Sequence, residues 1–132
     1  MRLFHRKNNR LYIEREIETL FRDGLSHFIY PIKILYLTYP IKDGDYKVLI
    51  SVSKRNFKRA VDRNLIKRRT KEAFRKNSFH LKNSLEEKEL GIYIAFIYVS
   101  KVIIDYKAIE DLVIKQILYL TNRIEGIEHT KV

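Results

Sequence analysis

The chain has 132 residues, 45% of them hydrophobic and 12% aromatic, enough for one domain with a modest core and too apolar for a disordered basic tail. Cysteine is absent, which excludes disulfide staples and thiolate metal sites and leads us to expect a reducing, cytoplasmic setting. Twenty-seven Lys and Arg against sixteen Asp and Glu leave a formal charge of +11, and no apolar run reaches the roughly 20 residues of a membrane span, so a polyanionic partner is expected and a membrane is not.

Met1 to Arg10 is polar and basic, lacks the apolar core of a secretory signal, and reads as a flexible arm. From Leu11 to Phe21 the positions Ile13, Ile17, Leu20 and Phe21 recur at helical spacing, with Gly24 as the stop. Ile32 to Tyr39 and Tyr46 to Ser53 are β-branched and aromatic runs joined through Pro40, Asp43 and Gly44, and are expected to pair as antiparallel strands. In the second run Val48, Ile50 and Val52 alternate with Lys47, Leu49, Ser51 and Ser53, so that one face is apolar and the other ends in two hydroxyls. Asn77 to Glu89 is a charged connector whose pattern fits helix and loop equally. Ile92 to Val99 is continuously apolar, as a central strand covered on both faces would be. Asp105 to Thr121 places Ala108, Ile109, Leu112, Val113, Ile117 and Leu120 on one helical stripe with Asp105 as N-cap, and residues 122–132 read as a loose tail. The expected fold is one α+β domain over 1–132: a small, mostly antiparallel sheet with helices packed on it, in the order α-β-β-α-β-α, as a two-layer sandwich.

The positive charge is concentrated. Lys54 to Lys76 holds eleven cations against Asp62 and Glu72, while the rest of the chain carries sixteen basic and fourteen acidic residues. Projecting Ala60 to Arg75 at about 100° per residue aligns Arg63, Lys67 and Lys71, with Asn64, Arg68 and Arg75 beside them, and puts Val61, Leu65, Ile66 and Ala73 on the opposite side. Packing does not require Arg and Lys there. Arg offers a planar fork to phosphate oxygens, Lys a point charge, and Asn an amide in the same row, which together suit a phosphate backbone. Lys54, Arg55 and Lys58 extend the field ahead of the helix.

The stretch A-V-D-R-N-L-I-K-R-R-T-K-E-A-F-R, Ala60 to Arg75, resembles the signature A-V-x-R-N-R-I-K-R-x-x-R-E-A-[FY] of the protein subunit of bacterial ribonuclease P. I-S-V-S-K-R, Ile50 to Arg55, is similar to that family's G-x-S-V-S-K-K, and N-R-L at Asn9 to Leu11 and L-F-R-D-G at Leu20 to Gly24 fall in the family's order, so the likeness covers about 110 residues. Leu65 and Lys71 replace two arginines of the pattern, Arg69 adds a cation, and the usual glycine before the helix is missing from Lys54 to Arg59.

The resemblance implies a protein that assists a catalytic RNA in hydrolysing the phosphodiester bond at the 5′ end of mature tRNA in precursor tRNA, with Mg²⁺ held mainly by the RNA. It implies that Arg63, Asn64, Lys67, Arg68, Lys71 and Arg75, with Lys54, Arg55 and Lys58, bind that RNA. It further implies that a concave sheet surface holds the single-stranded 5′ leader, with Phe21, Tyr36, Ser51 and Ser53 as candidates. No small-molecule substrate and no catalytic residue in the protein are expected, since His5, His27, His80 and His129 are scattered and Glu86, Glu87 and Glu89 sit in the connector. The alternative is a non-catalytic RNA-binding module such as a ribosomal protein or assembly factor. A helix reading a DNA major groove is a third reading, and nothing in the sequence suggests the dimer or partner helix it would use.

Overall fold

The computed structural model describes residues 9–127, which carry α1 (Glu14–Asp23), β1 (Leu25–Ile29), β2 (Ile32–Pro40), β3 (Asp45–Val52), α2 (Ala60–Asn77), α3 (Phe79–Lys88), β4 (Leu90–Tyr98) and α4 (Tyr106–Glu125). The expected order is present with two additions, β1 and α3. β1 is a short edge strand hairpinned to β2 through a turn that contains a cis Tyr30–Pro31 bond. α3 fills the connector: Leu81 and Leu85, four apart, are fully buried together with Ser84, while charged neighbours face water. No described helix is long and apolar enough to cross a membrane.

The sheet is mixed, with strand order β1-β2-β4-β3. β2 and β3 run in opposite directions, as their turn requires, but they are not neighbours: β4 lies between them, antiparallel to β2 and parallel to β3. This corrects the expected β2–β3 pairing. β4 is apolar on both faces and gains most from the central position, and the long return through α2 and α3 permits a parallel pairing. The 41–44 turn steps past the start of β4, with Pro40 opposite Leu90 and Asp45 opposite Gly91. Gly44 makes that step at φ 73°, where a Cβ would stand 2.7 Å from the Glu86 backbone nitrogen.

One face of the sheet carries the main core. Ile34, Val48, Ile92, Ile94 and Phe96 pack there against Ile66, Ala73 and Phe74 of α2, Leu81 and Leu85 of α3, and Ile109, Val113, Ile117, Leu120 and Ile124 of α4. The buried Gln116 of α4 donates to the Ile32 carbonyl at 2.9 Å and lies 2.8 Å from His27 Nδ1, tying α4 to the β1–β2 edge. The second face is not bare, as a two-layer sandwich would leave it: α1 lies on it, with Leu11, Ile17 and Leu20 against Ala95, Leu35, Leu37, Leu49 and Tyr93.

At its N-terminus α4 begins as expected, with the Asp105 carboxylate accepting from the Ala108 N–H at 2.9 Å. It runs on to Glu125, beyond Thr121, because Ile124 continues the buried stripe, so the first part of the expected loose tail is helix. Of the expected N-terminal arm, residues 1–8 lie outside the described residues, as do 128–132 of the tail. Arg10 is bridged to Val48 along the outer edge of β3, and the Asn9 amide donates to the Tyr46 carbonyl at 3.0 Å.

Candidate nucleic-acid interface

α2 is seated by Ile66, Thr70, Ala73 and Phe74, which are buried. Val61, assigned to the apolar side by projection, is 61% exposed, because the first turn of α2 projects beyond the core; Phe74 and Thr70 complete the buried side instead. Thr70 is tolerated inside because its hydroxyl donates to the Ile66 carbonyl at 2.9 Å. The approach to the helix does without glycine. Ser53 Oγ accepts from the Arg55 N–H at 2.9 Å, the Phe57 N–H returns to the Ser53 carbonyl at 3.1 Å, and the Phe57 ring is buried. The Arg63 guanidinium then donates to the carbonyls of Phe57 at 2.7 Å and Lys58 at 3.1 Å.

The cations of this segment therefore divide. Arg63 holds the approach turn, Arg69 donates to the Ile104 carbonyl at 2.6 Å, and Arg75 forms a bidentate pair with Glu72, with contacts of 3.1 and 2.7 Å. The Arg75 hydrogen bond holds the Glu72 carboxyl below its ordinary range, and both side chains remain accessible to solvent, so the pair adds little stability. Asn64, Lys67, Arg68 and Lys71 come together along one wall of a cleft of about 790 Å³. The other wall is the β3 edge, Val48 to Ile50, with Arg10, Leu11 and Tyr12 laid along it. Four cations and no carboxylate line this space. Lys54, Arg55 and Lys58 are exposed in the turn ahead of it. Like charges at i, i+4 spacing, Arg63–Lys67 and Lys67–Lys71, each cost the isolated helix about 0.2–0.5 kcal/mol, a repulsion that bound phosphates would relieve.

A second surface lies on the α1 face of the sheet. Strand register places Phe28, Lys33, Ile97 and Ser51 side by side across all four strands, in a row outside the cluster that α1 covers. Phe21, next to the buried Leu20 on α1, is 51% exposed. Tyr36 is a correction to the expected leader set. It points to the main core, is buried, and its hydroxyl lies 2.9 Å from that of Tyr119, which leaves no ring face for a base. Ser51 is half-buried on the open row, whereas Ser53 lies past the end of β3 and its hydroxyl serves the turn.

The ribonuclease P family profile matches residues 5–113. The chain belongs to the ribonuclease P protein family. It is 34% identical over 119 residues to the ribonuclease P protein component of Porphyromonas gingivalis strain ATCC 33277, covering 89% of this chain and 87% of that one, and equally identical to that of strain W83. The ribonuclease P protein from Thermotoga maritima shares the fold at 24% identity, with a TM-score of 0.64 over 89% of this chain and 98% of that one. That from Staphylococcus aureus shares it at 20% identity, with a TM-score of 0.59 over 85% and 94%. As a ribonuclease P protein component, the chain is part of the ribonucleoprotein endonuclease that processes the 5′ end of tRNA, and it works with the ribonuclease P RNA.

Arg10 and Tyr12 in the cleft, and Phe28 and Lys33 on the open row, were not among the residues the sequence singled out. For the first pair a signal existed: Arg10 is the middle residue of the N-R-L triplet and Tyr12 follows it, and the Arg10 guanidinium lies 6.0 Å from the Tyr12 ring. For the second pair there was none, because the row that joins them exists only once β1 pairs with β2, and the sequence did not reveal β1.

Proposed function

We propose that the ribonuclease P protein component grips its RNA with the cationic cleft between α2 and the β3 edge. Asn64, Lys67, Arg68 and Lys71 contact phosphates from one wall and Arg10 from the other. Lys54, Arg55 and Lys58 extend the contact, and Arg63 and Arg75 flank it, Arg63 while holding the approach turn and Arg75 while paired with Glu72. The observation that carries this reading is the charge of the cleft, in which four cations meet without a carboxylate. Neutralising crowded phosphates lowers the ionic strength at which the RNA folds and binds divalent ions.

In the same reading the single-stranded 5′ leader of precursor tRNA lies on the open row of the sheet, with Ser51 and Lys33 beneath it, Phe21 on the α1 side and Ser53 where the row meets the basic turn. Stacking on exposed rings tolerates sequence variation, as a surface that accepts many leaders must. We assign Mg²⁺ to the RNA, as membership of the family implies. Adding the purified protein to its cognate RNA should restore precursor-tRNA cleavage at a magnesium concentration where the RNA alone is inactive. Absence of rescue at every magnesium level would overturn the proposal, and is what a bland RNA-binding module predicts.

A further inference from the structure

We propose that Phe28 and Tyr30 form an aromatic platform that stacks a leader base at the β1 end of the open row, farthest from α2; this rests on the leader reading above. Phe28 is 53% and Tyr30 65% exposed, and their rings meet edge to face at 6.1 Å with an interplanar angle of 87°, so each keeps a face toward solvent. Two large rings side by side in water at the tip of a hairpin contribute little to the core, and their apolar area is better used against a flat partner.

The partner is argued from position and charge. Phe28 is the cross-strand neighbour of Lys33, which adjoins Ile97 and then Ser51, and the chain continues from Ser51 through Ser53 to Lys54 and Arg55. The row thus runs from the cationic turn to the aromatic pair, roughly 14 Å across at about 4.8 Å per strand. β1, β2 and β4 contain no Asp or Glu, so nothing in those strands repels a polyanion, while Lys33 offers a cation beside the rings. Ring faces at the end of a row whose members Phe28, Lys33, Ile97 and Ser51 carry no carboxylate, with an ammonium beside them, suit single-stranded RNA, whose bases stack while its phosphates are neutralised.

The test uses the protein assembled with its cognate RNA and compares precursor tRNA with a long leader, precursor tRNA with the leader cut back to the nucleotides beside the cleavage site, and mature tRNA. The double variant Phe28→Ala, Tyr30→Ala should bind the long-leader substrate at least about fivefold more weakly and the other two as the wild type does. A wild-type ratio of long- to short-leader affinity in the variant would overturn the platform, and so would an equal loss on all substrates. If the wild-type assembly itself shows no preference for the long leader, the leader reading fails instead. Tyr30→Trp, which preserves a stacking ring, should retain affinity and show fluorescence quenching with the long leader only; an unquenched signal at saturation would also overturn the proposal.

Discussion

Arg63, Arg68, Arg69 and Arg75 stand on one helix and are interchangeable by composition, yet their surroundings give them different work. Arg63 and Arg69 spend guanidinium donors on backbone carbonyls, and Arg75 is already paired with Glu72. Arg68 is exposed on the wall of the cleft. We therefore expect Arg68→Ala to weaken binding of the ribonuclease P RNA by about tenfold and to lower the slope of log affinity against log salt by about one, with an unchanged melting temperature. Arg75→Ala should cost less affinity, because its guanidinium must leave Glu72 to reach a phosphate. RNA binding measured across a salt titration checks both, and equal losses would show that the pair with Glu72 does not hold Arg75 back. The helical projection could align these side chains but could not see which carbonyls and carboxylates engage them, since Phe57, Lys58 and Ile104 are brought in by turns and tertiary contacts.

At the scale of elements, what was legible followed from strong periodicity or punctuation. α4 announced itself by a long apolar stripe and the Asp105 cap, and we expect Asp105→Ala to lower stability by about 1 kcal/mol in denaturant unfolding while leaving RNA affinity unchanged. A loss of affinity without a loss of stability would contradict that assignment. β4 was legible as a central strand from its unbroken apolar run, and α2 from its amphipathic pattern. β1 escaped because five residues between Gly24 and the Tyr30–Pro31 turn carry too little alternation to register. α3 escaped because its buried side holds only Leu81, Ser84 and Leu85 among charged residues. The mistaken pairing of β2 with β3 has a different origin: their turn specifies opposite directions, but the insertion of β4 depends on contacts between segments far apart in the chain. Tyr36 was misplaced for the same reason, since which side of β2 becomes the main core is decided by α4.

For the whole molecule, the tyrosines give a stability signature. Burial is the leading cause that raises Tyr39, Tyr46 and Tyr98 above the ordinary tyrosine value near 10. Because each folded-state pKa exceeds its unfolded value, their neutral forms support the fold fully below about pH 10, and that support is lost as pH rises through the folded values. In about 1 M salt, where the net charge of the chain is screened, we expect the urea midpoint to be level up to about pH 9 and to fall above it. A midpoint that climbed above that pH would refute the reading.

The parallel pairing of β3 with β4 sets the order in which the binding surface comes into being. α2 and α3 occupy the crossover between those strands, so the seat of α2 is incomplete until Leu90–Tyr98 has been synthesised and threaded between β2 and β3. Closing so long a loop delays the reward of its contacts. A nascent chain that ends before Leu90 already bears every cation of α2 but lacks both β4 and α4, which complete the core under that helix, so the proposed grip on RNA is expected only after both have been made.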